Sequence, residues 1–375
     1  MVKVFLESFR RCGEAIRFET LRLRQFRNYS NLEVEFGEEL NLLIGPNAQG
    51  KSNLLEAISV ISKTRSFRGA KDKAMIQVGA ESSSIAATLG DSEIGITIPK
   101  TGRRFATIGD SQLPRIQDLL GRAPTIAFAS VDLELIVGEP SWRRRFVDLE
   151  ISQFSAKYLR SISEYKRSLE HRNALLKRVR EGSEQARNLE VWDQKLSLSG
   201  ATLREMRSGY LSELSVLANT RHMQLAGDNE RLSLQYQLND DAVTANDLIA
   251  ELERKRPNDI VTGATTCGPH RDDIEILVDG KSAFSFASQG QSRTAVLAIK
   301  LAQMDYWTTR EGRVPALLLD DIFSDLDVTR RQHVLEVSRE LGQVFVTATD
   351  LAAVDSYLSD NSKIFYISNG TVRAA

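Results

Sequence analysis

The chain has 375 residues, which is enough for two domains with substantial cores. Its net charge of −1 argues against a dedicated nucleic-acid-binding domain with a strongly basic surface, and no apolar run reaches the roughly 18 residues that a membrane helix needs. Two cysteines, Cys12 and Cys267, lack the spacing of metal ligands and fit a reducing compartment. The composition therefore predicts a cytoplasmic protein with no membrane partner.

Residues 1–16 carry charges throughout and have no apolar stretch typical of a signal peptide. We interpret them as an N-terminal extension, either a disordered tail or a mis-assigned start. From residue 17 onward, apolar residues such as Leu21, Leu23, Leu32 and Val34 alternate with polar ones. This alternation is typical of half-buried strands, so the folded part of the chain is predicted to begin there.

Segment 45–52, with the sequence GPNAQGKS, matches the phosphate-binding pattern G-x-x-x-x-G-K-[ST]. A short apolar strand over 41–44 leads into it and a helical pattern over 53–58 follows, which is the context that the motif requires. Lys51 would reach the β- and γ-phosphates, Ser52 would bind Mg²⁺, and the turn and helix N-terminus would surround the phosphates. The predicted residues of this nucleoside triphosphate site are Gly45, Pro46, Asn47, Ala48, Gln49, Gly50, Lys51, Ser52 and Asn53.

Residues 131–259 change to a helical period. Apolar residues recur near every 3.5 positions from Tyr158 to Val179 and again from Trp192 to Leu217, with a linker at 181–184 between the two runs. We predict an antiparallel helical hairpin with arms of about twenty-five residues, within a mainly helical lobe.

A third motif, Ser288-Gln289-Gly290-Gln291, precedes another helical pattern. A Ser-x-Gly turn at a helix start presents a hydroxyl, backbone N–H groups and the helix dipole to an anion. By itself the run is at least as typical of an ordinary helix cap. It resembles the signature motif of ABC-type ATPases, and that resemblance implies that Ser288 contacts the γ-phosphate of ATP held by the opposite subunit.

The apolar run 316–319 ends in two carboxylates, Asp320 and Asp321, as does a central parallel strand that faces a ligand crevice. In P-loop enzymes an Asp at this place holds the metal, and we assign that role to Asp320 together with Ser52. Asp321 is then placed to orient or deprotonate the attacking water. The predicted catalytic residues are Lys51, Asp320 and Asp321.

The two halves of this site lie 320 − 51 = 269 positions apart, much further than in a compact GTPase or kinase fold. We therefore predict an α/β fold of the ABC-type P-loop ATPase head, discontinuous in sequence, with an inserted mainly helical lobe. Residues 17–130 would form the first part of the ATPase lobe, 131–259 the helical lobe, and 260–375 the second part. Segment 324–327 resembles the D-loop of this superfamily, which implies a nucleotide contact for Asp327.

Together with segments 26–29 (FRNY), 64–68 (TRSFR) and 268–273 (GPHRDD), these motifs resemble the bacterial RecF family of ABC-type, SMC-like ATPases from about Arg17 to the C-terminus. The resemblance implies a weak DNA-dependent ATPase that uses ATP and Mg²⁺ and forms an ATP-dependent homodimer. It implies binding to gapped DNA at junctions of single and double strands. It also implies recombinational repair and replication-fork maintenance, with RecR, RecO and the recombinase RecA as partners.

Two positions near the site depart from the ABC pattern. Asp321 stands where most ABC ATPases carry Glu, and no His follows the strand at 343–346, where transporters place a switch histidine. Thr347, Thr349 and Asp350 stand there instead.

Local basic runs favour DNA more than the net charge does. Eight Lys or Arg residues lie between 155 and 181, three arginines lie at 143–145, and four further cations lie between 65 and 73. A charge run is usually a solvated face, so the DNA interpretation depends on the family resemblance.

Two alternatives belong to other classes of protein. A transporter motor subunit would carry a switch His and a Leu-Ser-Gly-Gly-Gln signature, and this chain has neither. A module that uses ATP only as a dimerisation switch stays open, because Asp is one methylene shorter than Glu and a displacement of ~1 Å can cost ~10²-fold in rate.

Overall fold

The structure, a computed structural model, describes residues 14–227, 229–321, 342–350 and 361–375. The predicted D-loop with Asp327 lies outside the described residues. In chain order the described strands are β1 (Glu14–Ala15), β2 (Thr20–Phe26), β3 (Tyr29–Glu35), β4 (Leu40–Ile44), β5 (Ser82–Leu89), β6 (Ser92–Pro99), β7 (Phe105–Ile108), β8 (Ser111–Gln112), β9 (Thr125–Phe128), β10 (Leu232–Gln237), β11 (Asp273–Val278), β12 (Lys281–Ser282), β13 (Arg313–Val314), β14 (Ala316–Leu319), β15 (Val344–Ala348), β16 (Lys363–Ser368) and β17 (Thr371–Ala374). The described α-helices are α1 (Lys51–Lys63), α2 (Asp72–Met75), α3 (Glu134–Val137), α4 (Pro140–Phe154), α5 (Ala156–Arg180), α6 (Glu190–Ala226), α7 (Ala245–Thr262), α8 (Ala283–Phe286) and α9 (Gln289–Tyr306).

The chain divides into two compact units. Unit 1 comprises Met1–Asp132 and Lys300–Ala375, and unit 2 comprises Leu133–Ile299. Unit 1 is therefore discontinuous in sequence, as predicted, with strands and helices mixed on either side of an inserted unit that is mainly helical.

One sheet of unit 1 positions the three segments of the predicted nucleotide site. Its strand order is β17-β16-β4-β15-β14-β9, and all neighbours are parallel except the β16–β17 pair. Strand β15 lies between β4 and β14, so three adjacent strands end at the same edge. The carboxyl ends of such parallel strands form the usual ligand crevice of an α/β sheet.

The second sheet of unit 1 is antiparallel, with the order β3-β2-β5-β6-β7-β8. In β2, Leu21, Leu23 and Phe26 are buried whereas Arg22 and Arg24 are exposed, which is the alternation of a sheet with one face in the core. Helix α1 contacts strands of both sheets and shares their apolar core. This core fixes the helix that follows the Gly-rich turn.

Unit 2 is built on the predicted helical hairpin. Helices α5 and α6 pack against each other, and α7 packs against both. The first arm has 25 residues as expected, but α6 has 37, because its helical pattern continues to Ala226 and ends where Gly227 takes a φ of 95°.

Three buried arginines, Arg172, Arg204 and Arg207, hold the elements of unit 2 together. Their side chains are at most 3% exposed, and they join helices α4, α5, α6 and α7 to the loops at 238–244 and 263–272. The pairs, at N–O distances of 2.6–2.7 Å, are Arg172 with Asp193 and Asp259, Arg204 with Asp240 and Asp272, and Arg207 with Asp148.

The GPHRDD segment belongs to this network of ion pairs. Asp272 is fully buried, accepts two hydrogen bonds from Arg204 at 2.7 and 2.8 Å, and accepts another from Tyr236 at 2.6 Å. His270 Nδ1 lies 2.7 Å from the Tyr165 hydroxyl, and burial lowers the pKa of this imidazole to about 4. Residues that mark the family in sequence therefore organise unit 2.

Two predicted boundaries differ from those observed. Residues 14–16, placed in the extension, belong to unit 1: β1 pairs with β13, and the Ile16 N–H donates to the Val314 carbonyl at 3.0 Å. Unit 2 extends to Ile299 rather than to 259, because β11 pairs with β10 over six residues and so remains with the inserted unit.

Candidate functional site

The Gly-rich turn 45–50 connects β4 to α1, as the motif predicts. Two of its glycines are required by space and backbone angle. A Cβ on Gly45 would lie 2.2 Å from the Ile367 carbonyl oxygen, and Gly50 has a φ of 121° and faces the Tyr29 hydroxyl. The turn therefore packs so closely against Ile367 and Tyr29 that neither glycine has room for a side chain.

Helix α1 begins directly after the turn without a capping side chain and with no acidic residue in its first turn. The N-terminal N–H groups of a helix need acceptors and carry a partial positive charge. A phosphate is the ligand that satisfies both demands, so this end of α1 fits the triphosphate of ATP.

Lys51 lies at the start of α1 and is 8% exposed. Its Nζ donates to the carbonyl of Gly45 and, at 2.9 Å, to that of Pro46. Burial lowers the pKa of this ammonium, and the charges of Asp321 and Asp320 act in the opposite direction. The cation is thus held at the turn, where an incoming phosphate would replace the carbonyl acceptors.

Ser52 and Asp320 meet although 268 positions separate them. The Ser52 hydroxyl donates to Asp320 Oδ1 at 2.7 Å. A hydroxyl and a carboxylate oxygen are ligands that Mg²⁺ accepts, so this pair fits the predicted metal role. Burial raises the pKa of the Asp320 carboxyl, while its hydrogen bonds from Ser52 and Thr347 oppose that shift.

Thr347 connects the two predicted carboxylates. Its hydroxyl donates to Asp320 Oδ1 at 3.1 Å and accepts from the Asp321 backbone N–H at 2.8 Å. The side chain is 1% exposed at the end of β15. Asp321 has a φ of 53°, which is unusual for a residue with a side chain. Thr347, Thr349 and Asp350 stand where transporters place a switch histidine, and the hydrogen bond of Thr347 connects it to Asp320.

The FRNY segment braces the turn from the β2–β3 connection. Asn28 donates to the Gln49 carbonyl at 2.9 Å, and Tyr29 donates to the Gly50 carbonyl at 3.0 Å. Arg27 makes two hydrogen bonds of 2.8 Å to Glu56, which is fully buried in α1. The sequence marked these residues only through family resemblance, because their partners lie more than twenty positions away.

Other predicted site residues have structural contacts of their own. Asn53 donates to Asn28 Oδ1 at 2.8 Å, and Gln49 Oε1 accepts from the Asn369 backbone N–H at 2.7 Å. These two side chains support the shape of the turn in the structure. Their predicted nucleotide contacts stay predictions.

The signature residues of unit 2 open helix α9. Ser288 Oγ accepts from the Gln291 backbone N–H at 3.2 Å, and the Ser288 backbone N–H donates to Gln291 Oε1 at 3.0 Å. This reciprocal pair is a capping box. Ser288 and Gln289 are exposed. The ordinary capping function is therefore present, and a contact with a second subunit's nucleotide stays a prediction.

Seven of the eight basic residues between 155 and 181 are exposed. Arg172 is fully buried in an ion pair and is unavailable to DNA. Arg143 and Arg144 are also committed, to Asp273 Oδ1 at 2.8 Å and to the Asp272 carbonyl at 2.7 Å. The exposed cations of α5 are Lys157, Arg160, Lys166, Arg167, Lys177, Arg178 and Arg180.

Among the described residues, no helix combines the length and the apolar character that crossing a membrane requires.

Comparison with known proteins extends these observations to the whole chain. A family model described as "RecF/RecN/SMC N terminal domain" matches residues 17–112. The DNA replication and repair protein RecF of Clostridium novyi is 36% identical over 360 residues, covering 94% of this chain and 99% of that protein. The protein of the same name from Shouchella clausii is 36% identical over 366 residues, covering 94% and 98%.

Solved structures agree with the predicted fold class. The recombination mediator protein RecF-ATP of the RecFOR pathway superposes with a TM-score of 0.89 at 31% identity, covering 97% of this chain and 99% of that one. An Smc head domain from Pyrococcus furiosus gives a TM-score of 0.56 at 16% identity, covering 96% of each chain, which shows a shared fold. The ABC-type ATPase head with a helical insertion is therefore confirmed.

Proposed function

The chain belongs to the RecF family of DNA replication and repair proteins, and we propose that its unit 1 binds ATP and hydrolyses it slowly in response to DNA. The observation that carries the proposal is the 2.7 Å contact between Ser52 and Asp320 across 268 positions. It joins the two motifs that a P-loop ATPase needs for its metal.

Each residue of the site has a definite task in this proposal. Lys51 would exchange its carbonyl acceptors for phosphate oxygens. Ser52 and Asp320 would hold Mg²⁺, which would supply positive charge to neutralise the phosphates. Asp321 orients or deprotonates the water. Asp320 keeps its orientation because Ser52 and Thr347 both donate to the same oxygen.

We propose that ATP also joins two copies of the chain. In that arrangement Ser288 of one copy contacts the γ-phosphate held by Lys51 of the other. Ser288 is exposed at a helix N-terminus, so a second anion can approach it. A net charge of −1 means that one copy offers few phosphate contacts, whereas a dimer combines the exposed cations of two α5 helices against a DNA backbone.

The substrate DNA in this proposal is gapped, with a junction of single and double strands. A similar protein of known structure is described as a recombination mediator of the RecFOR pathway. That description supports the proposed partnership with RecO and RecR, which would help place RecA on the gap.

Single-turnover ATP hydrolysis with and without gapped DNA tests the activity. We expect Asp320→Asn to weaken Mg²⁺-dependent binding and Asp321→Asn to bind ATP and accumulate as a dimer. An Asp321→Asn protein that sediments as a monomer with ATP bound would contradict the assigned role. If the wild-type protein dimerises on ATP without measurable turnover, the dimerisation-switch alternative is the correct one.

Mixing two inactive variants tests the exchange between subunits. Ser288→Arg should bind ATP normally, since segment 45–52 is unchanged, yet fail to dimerise. A heterodimer of Lys51→Ala and Ser288→Arg chains keeps one composite site intact. Partial ATP-dependent dimerisation in the mixture, absent from each variant alone, supports the proposal, whereas full dimerisation of Ser288→Arg alone would refute it.

A further inference from the structure

A carboxylate outside every recognised motif contacts the signature. Glu230 Oε2 accepts a hydrogen bond of 2.6 Å from Gln291 Nε2. The same Gln291 amide accepts, through Oε1, from the Ser288 backbone N–H at 3.0 Å. Since a carboxylate only accepts and an N–H only donates, the two partners fix which way the amide points. Both polar atoms of the Gln291 side-chain amide are therefore hydrogen-bonded.

Glu230 is itself anchored to the long helix α6. His222 Nε2 lies 2.6 Å from Glu230 Oε1, and His222 is fully buried. Two residues further along, β10 begins, and the Leu232 backbone N–H donates to Asn219 Oδ1 of α6 at 3.1 Å. The Glu230 carboxylate is thus paired with a buried histidine of α6, and it lies two residues before a strand that is hydrogen-bonded to the same helix.

We propose that Glu230 is a positioning residue for the signature motif. Through Gln291 it sets the capping turn, so that the Ser288 hydroxyl and the start of α9 are ordered before they meet an anion from a second copy. This inference deepens the proposed function and rests on it. An ordered loop loses less conformational freedom when the complex forms, which is the physical origin of the expected effect.

Glu230→Ala should weaken ATP-induced self-association about tenfold, roughly the cost of ordering one long side chain in an interface. ATP binding to the monomer should not change, because the P-loop belongs to unit 1. Glu230→Gln keeps an acceptor for Gln291 and should lie closer to the wild type. Asp241→Ala, which removes an exposed carboxylate from the same unit, is the matched control.

A charge exchange separates positioning from general stability. Gln291→Glu keeps the acceptor for the Ser288 N–H but faces Glu230 with a second carboxylate, so self-association should fall. Adding Glu230→Gln to that variant restores a donor–acceptor pair and should recover most of the loss. If Glu230 only stabilised the fold, the unfolding temperature would fall and recover together with self-association. A positioning role instead changes self-association while the unfolding temperature of all variants stays near that of the wild type.

Sedimentation velocity with a non-hydrolysable ATP analogue measures these effects, and binding of a fluorescent ATP analogue to dilute protein reports on the P-loop separately. Equal self-association of wild type and Glu230→Ala would refute the inference, as would stronger self-association of Glu230→Ala, since the carboxylate would then oppose the partner's phosphate. A wild-type protein that binds ATP but does not self-associate would instead refute the proposed dimer.

Discussion

Partly buried carboxylates occur in both units, but their surroundings shift the carboxyl pKa in opposite directions. Burial alone would raise the pKa of Asp240 in unit 2, yet hydrogen bonds from Arg204 and the Gly268 N–H outweigh it, and this pKa lies below its ordinary value. In unit 1, burial raises the pKa of Asp320, and the charge of Asp321 adds to the shift. In unit 2 the carboxylates form ion pairs with buried arginines, whereas we propose that the pair in unit 1 receives a metal cation.

The same type of side chain thus stabilises the fold in unit 2 and, in the proposed function, binds a metal in unit 1. In unit 2 the buried arginines Arg172, Arg204 and Arg207 each have at least one carboxylate within hydrogen-bonding distance. At the end of β14 two carboxylates are adjacent, and their repulsion raises the free energy of the nucleotide-free protein although the Lys51 ammonium attracts both of them. Variants that affect only stability or only nucleotide binding can therefore test the assignment of the two units.

The largest effect on stability is expected from Asp272→Asn. This change keeps the volume of the side chain but removes one of the two carboxylates that neutralise buried Arg204. Breaking a buried pair in this way costs about 3–5 kcal/mol of unfolding free energy. Chemical denaturation measures the loss, and ATP affinity of the folded protein should be unchanged.

Glu251→Gln is the matched control, since Glu251 is 13% exposed and its partner Arg254, on the same helix of the same unit, is 65% exposed and remains solvated when the pair is lost. Its cost should be at most about 0.5 kcal/mol. Equal losses for the buried and the exposed pair would show that the arginines of unit 2 do not determine its stability.

The largest effect on function is expected from Lys51→Ala. ATP hydrolysis should fall by about 10²–10³-fold, because the phosphates lose a preorganised cation. The free energy of unfolding should change by less than about 1 kcal/mol, because burial disfavours the Lys51 ammonium more than the charges of Asp321 and Asp320 favour it. Lys100→Ala, at an exposed lysine of the same unit, is the control. Wild-type turnover by Lys51→Ala would place the site elsewhere.

Local patterns in the sequence were sufficient for the fold class and for the strand–turn–helix context of the Gly-rich turn. The apolar run of β14, the Gly-rich turn and the hairpin arms each follow from residues close together in the chain. The bracing of the turn by Asn28 and Tyr29 could not be derived, because hydrogen bonds between distant loops leave no periodicity. The boundary of unit 2 was misplaced for a similar reason, since local periodicity does not reveal that β11 pairs with β10.

A smaller effect on function is expected at Thr347, whose hydroxyl bridges Asp320 and the Asp321 backbone. Thr347→Val keeps the branched shape but removes both hydrogen bonds, and hydrolysis should fall about tenfold, the value of one hydrogen bond to a charged group. Thr347→Ser keeps the hydroxyl and should retain most of the activity. The Mg²⁺ dependence of ATP-analogue binding should shift in Thr347→Val as well. Identical Mg²⁺ curves for the two variants would exclude a role in orienting Asp320.

The smallest effect, and the most direct test of the contrast between the units, is the stability of Asp320→Asn. The amide still accepts from Ser52 and Thr347 but carries no charge beside Asp321, so the nucleotide-free protein should gain about 0.5–1 kcal/mol. Because the pKa of Asp320 is raised in the folded state, the charged carboxylate destabilises the wild-type fold at neutral pH. The stability gained by Asp320→Asn should therefore shrink as the pH falls through the folded pKa, where the wild-type carboxyl becomes protonated. Asp240→Asn should show the opposite sign, because its lowered folded pKa contributes stability that is present at neutral pH and lost in acid. Thermal unfolding without Mg²⁺ or nucleotide measures both variants. Destabilisation by Asp320→Asn would mean that its carboxylate supports the fold, and the distinction between the two regions would fail.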